Sequence, residues 1–173
     1  MRRVYRHISA DRPGRIIGWM FVQHSVHIDR STADCAKVLE RGPRTWFPHF
    51  DGDGRSDVGL RVAGISVHKR VKVELGEPEQ NGDWTNVPVT WKATFPEKLF
   101  PVLTGRLELT PVEKNVTRLT LSGMYEPPLG RLGALIDEAL MHSVAEATVR
   151  EVTESMARQL GGVIRSGESD KGQ

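Results

Sequence analysis

The sequence predicts an α+β protein: a curved antiparallel β-sheet wrapped around one long C-terminal α-helix. Three observations predict it. Stretches of period-two alternation recur along the chain up to Glu126, with one short helical interval among them. Pro127 and Pro128 then stop the last strand, because proline cannot donate to a ladder and presets the entry to a helix. From Leu129 to Leu160 there is no proline, and no glycine after Gly133, so the chain can stay helical for roughly 30 residues, about 45 Å. A helix of that length needs something long to lie against, and the preceding strands are the only candidate.

Taken in order, residues 2–9 and 15–28 read as extended, separated by the turn signal Asp11-Arg-Pro-Gly14. The second stretch puts Val22, His24, Val26 and Ile28 on one face and Gln23, Ser25 and His27 on the other. A short helix follows, with Ser31 as N-cap and Asp34 as the negative charge of its first turn, and Gly42-Pro43 ends it. Trp46-Phe-Pro-His-Phe50 is an aromatic linker, and Asp51-Gly-Asp-Gly54 a turn. Strands are expected at Val58–Ile65 and Val67–Leu75, the latter with Val67, Lys69, Val71, Val73 and Leu75 on one face. Glu77 to Asp83 reads as a polar turn before Val87–Phe95, where Val89, Trp91 and Ala93 align. The loop 96–101 leads to Leu103–Thr110, whose Leu103, Gly105, Leu107 and Leu109 face one way, and Pro111–Asn115 turns into the strand Arg118–Glu126.

The last helix carries Leu132, Leu135, Ile136, Ala139, Leu140, Val144, Ala147, Val152, Met156 and Leu160 near a 3.6-residue period. Glu146 with Arg150 and Glu154 with Arg158 are expected as i,i+4 pairs on its wet side, with His142 also on that side, and Gly161-Gly162 as the stop. The expected division is an added strand or hairpin over 1–19, a ligand-binding domain over 20–165 and a disordered tail over 166–173.

Composition narrows the function. With 27% charged and 38% hydrophobic residues the chain reads as an ordinary globular domain, and a net charge of +2 is too small to point to nucleic acid. Five arginines in the first fifteen residues read as a solvated basic edge or, less simply, as a docking surface. The single cysteine, Cys35, excludes an intrachain disulfide and falls where an inert buried thiol is expected. No apolar run has signal-peptide or membrane-span length, so no integral membrane segment and a cytoplasmic location are expected; Asn115-Val-Thr117 then reads as a turn rather than a glycosylation acceptor.

The familiar catalytic and metal patterns are missing. His24 and His27, three apart in a strand, point to opposite faces and cannot chelate one ion. There is no HExxH and no Cys/His cluster at zinc spacing; no metal and no cofactor are expected. Asp51-Gly-Asp-Gly54 begins like a calcium loop but has Ser56 at the sixth position and Val62 at the twelfth. There is neither a phosphate-binding Gly-Lys-Ser/Thr loop nor a Gly-x-Ser-x-Gly elbow.

More telling are polar residues in register with apolar neighbours: His24, Lys69 and Tyr125, with the amphipathic Trp91. Taken singly, each is explained by a local partner, or for Lys69 by an ammonium reaching solvent at a sheet edge. Taken together they point to a pocket, since polar groups facing a dry core are costly without partners.

The layout then has a resemblance. Val26-His-Ile-Asp-Arg-Ser-Thr-Ala-Asp34 leads from a strand into a short helix, followed by the aromatic linker Trp46–Phe50. A hairpin of Gly105-Arg-Leu-Glu-Leu-Thr-Pro111 and Thr117-Arg-Leu-Thr-Leu121 follows, and Pro127-Pro-Leu-Gly130 opens the long helix. Over about residues 20–163 this resembles the START-like, or SRPBCC, superfamily: the helix-grip fold of lipid-transfer domains, the birch-pollen allergen class and bacterial polyketide cyclases. Residues 1–19 depart from that pattern and are expected to add a strand or make a subunit contact, which leaves a homodimer open. A second small helix after the first has room for one turn at most.

The resemblance implies a deep, mostly apolar cavity between sheet and helix for a lipid, polyketide or other aromatic hydrophobe. Val26, Val71, Val89, Trp91, Leu107, Leu121, Tyr125, Leu132, Ile136 and Leu140 would line it. The first expectation is a binding protein for such a molecule, with His24, Lys69, Trp91 and Tyr125 orienting its polar end. The alternative is a cyclase or dehydratase in which His24 is the general base and Tyr125 or Lys69 stabilises an enolate. Against the alternative, no carboxylate stands near His24 in the sequence to orient it.

Overall fold

The computed structural model describes residues 19–62, 65–93, 102–126, 138–161 and 164–166; of these, 58–62, 65–69, 93, 138–141 and 164–166 are described by their backbone. Among these residues eight strands and two α-helices follow in the order β1 (Met20–Ile28), α1 (Thr32–Glu40), β2 (Arg55–Val62), β3 (Ile65–Leu75), β4 (Glu79–Asn81), β5 (Trp84–Ala93), β6 (Leu103–Glu113), β7 (Val116–Tyr125), α2 (Glu138–Gln159) and β8 (Ile164–Ser166). The strands form one sheet in the order β2-β3-β5-β6-β7-β1-β8, with β4 paired to β5, and every pairing is antiparallel.

Helix α2 lies against β1, β7 and β8 and also against β2. β2 stands at one end of the strand order and β1 and β8 at the other, so the sheet curls until both ends reach the helix. The fold is therefore the predicted α+β helix grip. Central strands β3, β5 and β6 turn Val71, Val73, Val87, Val89, Trp91, Leu103 and Leu107 into the same buried core. Two glycines at the middle of the sheet permit the curl. Gly105 and Gly123 face each other across β6 and β7, and a Cβ on Gly105 would run into the Ser122 carbonyl.

Helix α1 begins as its sequence dictates: the Ser31 hydroxyl accepts from the Asp34 N–H at 3.2 Å, and Lys37 pairs with Asp34 at 2.9 Å. The room left for a second small helix holds a single 3-10 turn, Pro43–Thr45. Trp46 and Phe47 pack edge to face in the core, and the buried Ser56 hydroxyl donates to the Pro48 carbonyl at 2.6 Å, tying this linker to β2. The Asp51 carboxylate accepts from the Asp53 and Arg55 N–H groups, making the expected turn.

Arg30 joins the two halves of the chain. Its guanidinium donates to the Leu160 carbonyl at 2.6 Å, at the C-terminus of α2, where cations are favoured. Gly161 ends that helix at φ +90°, as expected of a glycine stop.

Several sequence-derived boundaries move. The first hairpin runs Arg55–Val62 and Ile65–Leu75 rather than turning after Ile65. The polar stretch 77–83 contains β4, whose residues are all exposed and so carry no alternation to read. Pairing of β6 with β7 continues to Glu113 through an irregularity between Pro111 and Glu113, a place where a residue lacking N–H is tolerated. Ser166, assigned to the tail, pairs with Val26 in β8. The expected extended segment 2–9, the loop 96–101 and the Pro127-Pro128 helix start lie outside the described residues.

Candidate functional site

Cross-strand register sets the concave face out in rows. Val73, Trp91, Leu103, Tyr125 and Met20 form one row, ending against β1. Leu75, Val89, Gly105, Gly123 and Val22 form the next, then Val87, Leu107, Leu121 and His24. A fourth row holds Thr85, Leu109, Leu119 and Val26. Of the residues the sequence assigned to ligand contact, Val26, Val71, Val89, Trp91, Leu107, Leu121 and Tyr125 are all buried. Leu140 lies on α2 by its backbone, and Lys69 lies in β3 opposite Val58, two residues before Val71. Leu132 and Ile136 fall outside the described residues.

Burial along α2 is uneven. Val149, Val152, Thr153, Met156, Ala157 and Leu160 are buried at the 3- and 4-residue spacing of one helix face. From His142 to Thr148 the same helix has no fully buried residue.

At that looser end stands Tyr125, whose ring is 1% exposed. Its hydroxyl lies 3.2 Å from His142 Nδ1 and 3.4 Å from Met20 Sδ, and the two rings stack with 18° between their planes. His142 Nε2 is in turn 3.5 Å from Glu146 Oε1, one helical turn on. A chain of polar groups thus runs from a buried phenol to a surface carboxylate. His142 keeps part of the solvent contact expected on the wet side of the helix, its side chain being 33% exposed, while Nδ1 reaches inward to Tyr125. The missed signal is spacing: His142, Val149 and Met156 are seven residues apart, and the last two are fully buried on that face.

The second polar group is His24. Its Nε2 is buried, has no hydrogen-bond partner among the described residues, and lies 3.6 Å from Glu154 Oε1. Desolvation pushes its pKa below the ordinary 6.5, with Glu154 opposing and Arg150 assisting the shift, so the imidazole is neutral at pH 7. Glu154 is the carboxylate absent from the sequence neighbourhood of His24. The expected Glu154–Arg158 pair gives way to it: Glu154 faces His24, while Arg158 bonds Glu151 at 3.5 Å.

A separate surface groove of about 680 Å³ opens at the other end of β7, between α1 and the turns following β4 and β6. Ala33, Ala36, Lys37, Asp83, Val112 and Lys114 are among its lining residues, and none of the predicted contact residues is.

No family model matches the sequence, and no curated protein matches it. Among solved structures, a protein of Thermus thermophilus is 14% identical and superposes with a TM-score of 0.50, covering 81% of this chain and 96% of the other. The chain shares that fold, the predicted helix grip. The aromatase/cyclase ZhuI from Streptomyces sp. R1128 is 15% identical, with a TM-score of 0.47, covering 84% of this chain and 99% of the other. Norcoclaurine synthase from Thalictrum flavum is 11% identical, with a TM-score of 0.44, covering 89% and 95%. These are likenesses of shape.

Proposed function

We propose that the space between the concave face and α2 takes up a small hydrophobic molecule, a lipid, polyketide or other aromatic, that bears a polar group. One observation carries the reading. Two polar units, Tyr125–His142 and His24–Glu154, each join a strand of the concave face to α2 beside a largely apolar core. Polar groups taken from water must be partnered merely to break even, so two such pairs beside one core favour a role beyond packing. Apolar ligand surface buried here would contribute about 25 cal/mol per Å². The looser packing of α2 around His142 is the natural way in.

The test is native mass spectrometry of the purified protein, then organic extraction and identification of what is released. A co-purifying hydrophobe at one per chain supports the reading. A clean mass together with no saturable binding of anilinonaphthalene sulfonate would contradict it.

The His24–Glu154 pair favours a second reading, an enzyme of cyclase or dehydratase type. A neutral imidazole with a carboxylate 3.6 Å away has the parts of a general base. Replacing His24 by alanine would then spare ligand binding and abolish turnover of a polyketide-like substrate; loss of binding itself would count against it.

A further inference from the structure

We infer that the outer face of the sheet at the start of β1, together with the arginine-rich segment that precedes it, docks on an anionic lipid surface.

The outer face of β1 changes character along its length. Phe21, Gln23, Ser25 and His27 share that face, since Val22 and Val26 between them are buried on the other. Three of the four are polar, and the apolar one, Phe21, is 48% exposed. Register carries the apolar end onward: Phe21 stands opposite Met124 of β7, and Met124 opposite Thr104 of β6. Trp19 and Val102, two residues before Phe21 and Thr104, continue that face one step past the strand ends, and both are exposed. The next rows are polar, Gln23 with Ser122 and Arg106, then Ser25 with Thr120 and Glu108. Large apolar side chains exposed together, rather than singly, mark a contact surface.

The sequence says which surface. Five arginines and one acid, Asp11, occupy the first fifteen residues, while the whole chain has a net charge of only +2. Arg15 is four residues from Trp19 and Arg12 seven, so the chain cannot hold them more than about 14 Å and about 25 Å from the patch. Aromatic rings and guanidinium groups side by side fit the headgroup layer of an anionic bilayer. The rings settle at the interface, and the arginines are drawn to its negative potential. Each alone is a weak anchor, and together they suffice for peripheral binding. The phosphates of nucleic acid would engage the arginines and leave Phe21, Met124 and Val102 in water. The patch lies at the same end of the sheet as Met20 and Tyr125, so docking turns that end toward the lipid. It does not require the interior to be filled.

The experiment is co-sedimentation of the full chain with phosphatidylcholine vesicles, with and without one third phosphatidylglycerol. Binding is expected to the anionic vesicles alone and should weaken as salt rises. Arg2→Gln, Arg3→Gln and Arg6→Gln together should weaken it at least about tenfold. Trp19→Ser with Phe21→Ser should do the same, at least about tenfold. Should that double variant unfold, Phe21→Ser alone should still cost about threefold or more. Trp84→Ser, at an exposed ring on the opposite end of the sheet, should leave binding unchanged. No binding to anionic vesicles, equal binding to both kinds, or binding that survives loss of Trp19 and Phe21 would overturn the inference. So would a fall in the sedimentation coefficient of the lipid-free protein on the same substitutions, which would give the patch to a second copy of the chain.

Discussion

Glu154 Oε1 stands 3.6 Å from His24 Nε2, joining the second half of α2 to the concave face of β1 across 130 residues of chain. Burial, rather than this carboxylate, dominates the imidazole: its pKa lies below 6.5 despite the anion beside it.

Stability should therefore depend on pH through His24. A histidine whose folded pKa is depressed binds fewer protons folded than unfolded, so its contribution is fully present above 6.5 and is lost as pH falls through the lowered folded value. Urea unfolding from about pH 8 to about pH 5 should show stability falling with acidity, by at most about 1.4 kcal/mol per pH unit from this one group. His24→Gln should flatten that slope; an unchanged slope would assign it to other groups.

Replacing Arg30 by methionine removes the guanidinium from the Leu160 carbonyl and leaves the end of α2 without that bond. A loss of about 1–2 kcal/mol is expected, read as a shift in urea midpoint at constant m-value.

Gly105→Ala and Gly123→Ala should differ sharply although the two glycines are paired. A Cβ on Gly105 meets the Ser122 carbonyl, backbone that cannot step aside, whereas on Gly123 it meets the flexible end of Leu103 at 2.6 Å. The first should cost about 3 kcal/mol or more, or prevent folding, and the second distinctly less. Similar midpoints would refute this account of how the sheet curls.

The Cys35 thiol is buried, and its pKa is raised by desolvation, with a hydrogen bond from Thr117 only partly offsetting the rise. It should be silent to a thiol reagent in the native protein and react at the rate of unfolding in denaturant. Fast native labelling would show the α1–β7 contact to open on its own.

Local chemistry made much of the fold legible. Val22, Val26 and Ile28 alternate because β1 has one buried face, Ser31 and Asp34 announce α1, and Gly161 ends α2 for want of a Cβ. Parity alone placed Val89, Trp91, Leu107 and Leu121 inward. What escaped was set by distance in the chain or by shortness. No local pattern links His24 to Glu154, β8 has three residues and no period to detect, and exposed β4 has no apolar partner to alternate with. Nor does any local pattern link the phenol of Tyr125 in β7 to the half-exposed imidazole of His142 on α2.

Methyl-resolved NMR during titration with β-naphthol tests the central claim most directly. Binding between sheet and helix predicts saturable shifts at the Val89, Leu107 and Leu121 methyls, residues of the central rows of the concave face. Shifts confined to Ala33, Ala36 and Val112 would place the ligand in the surface groove instead and contradict the account.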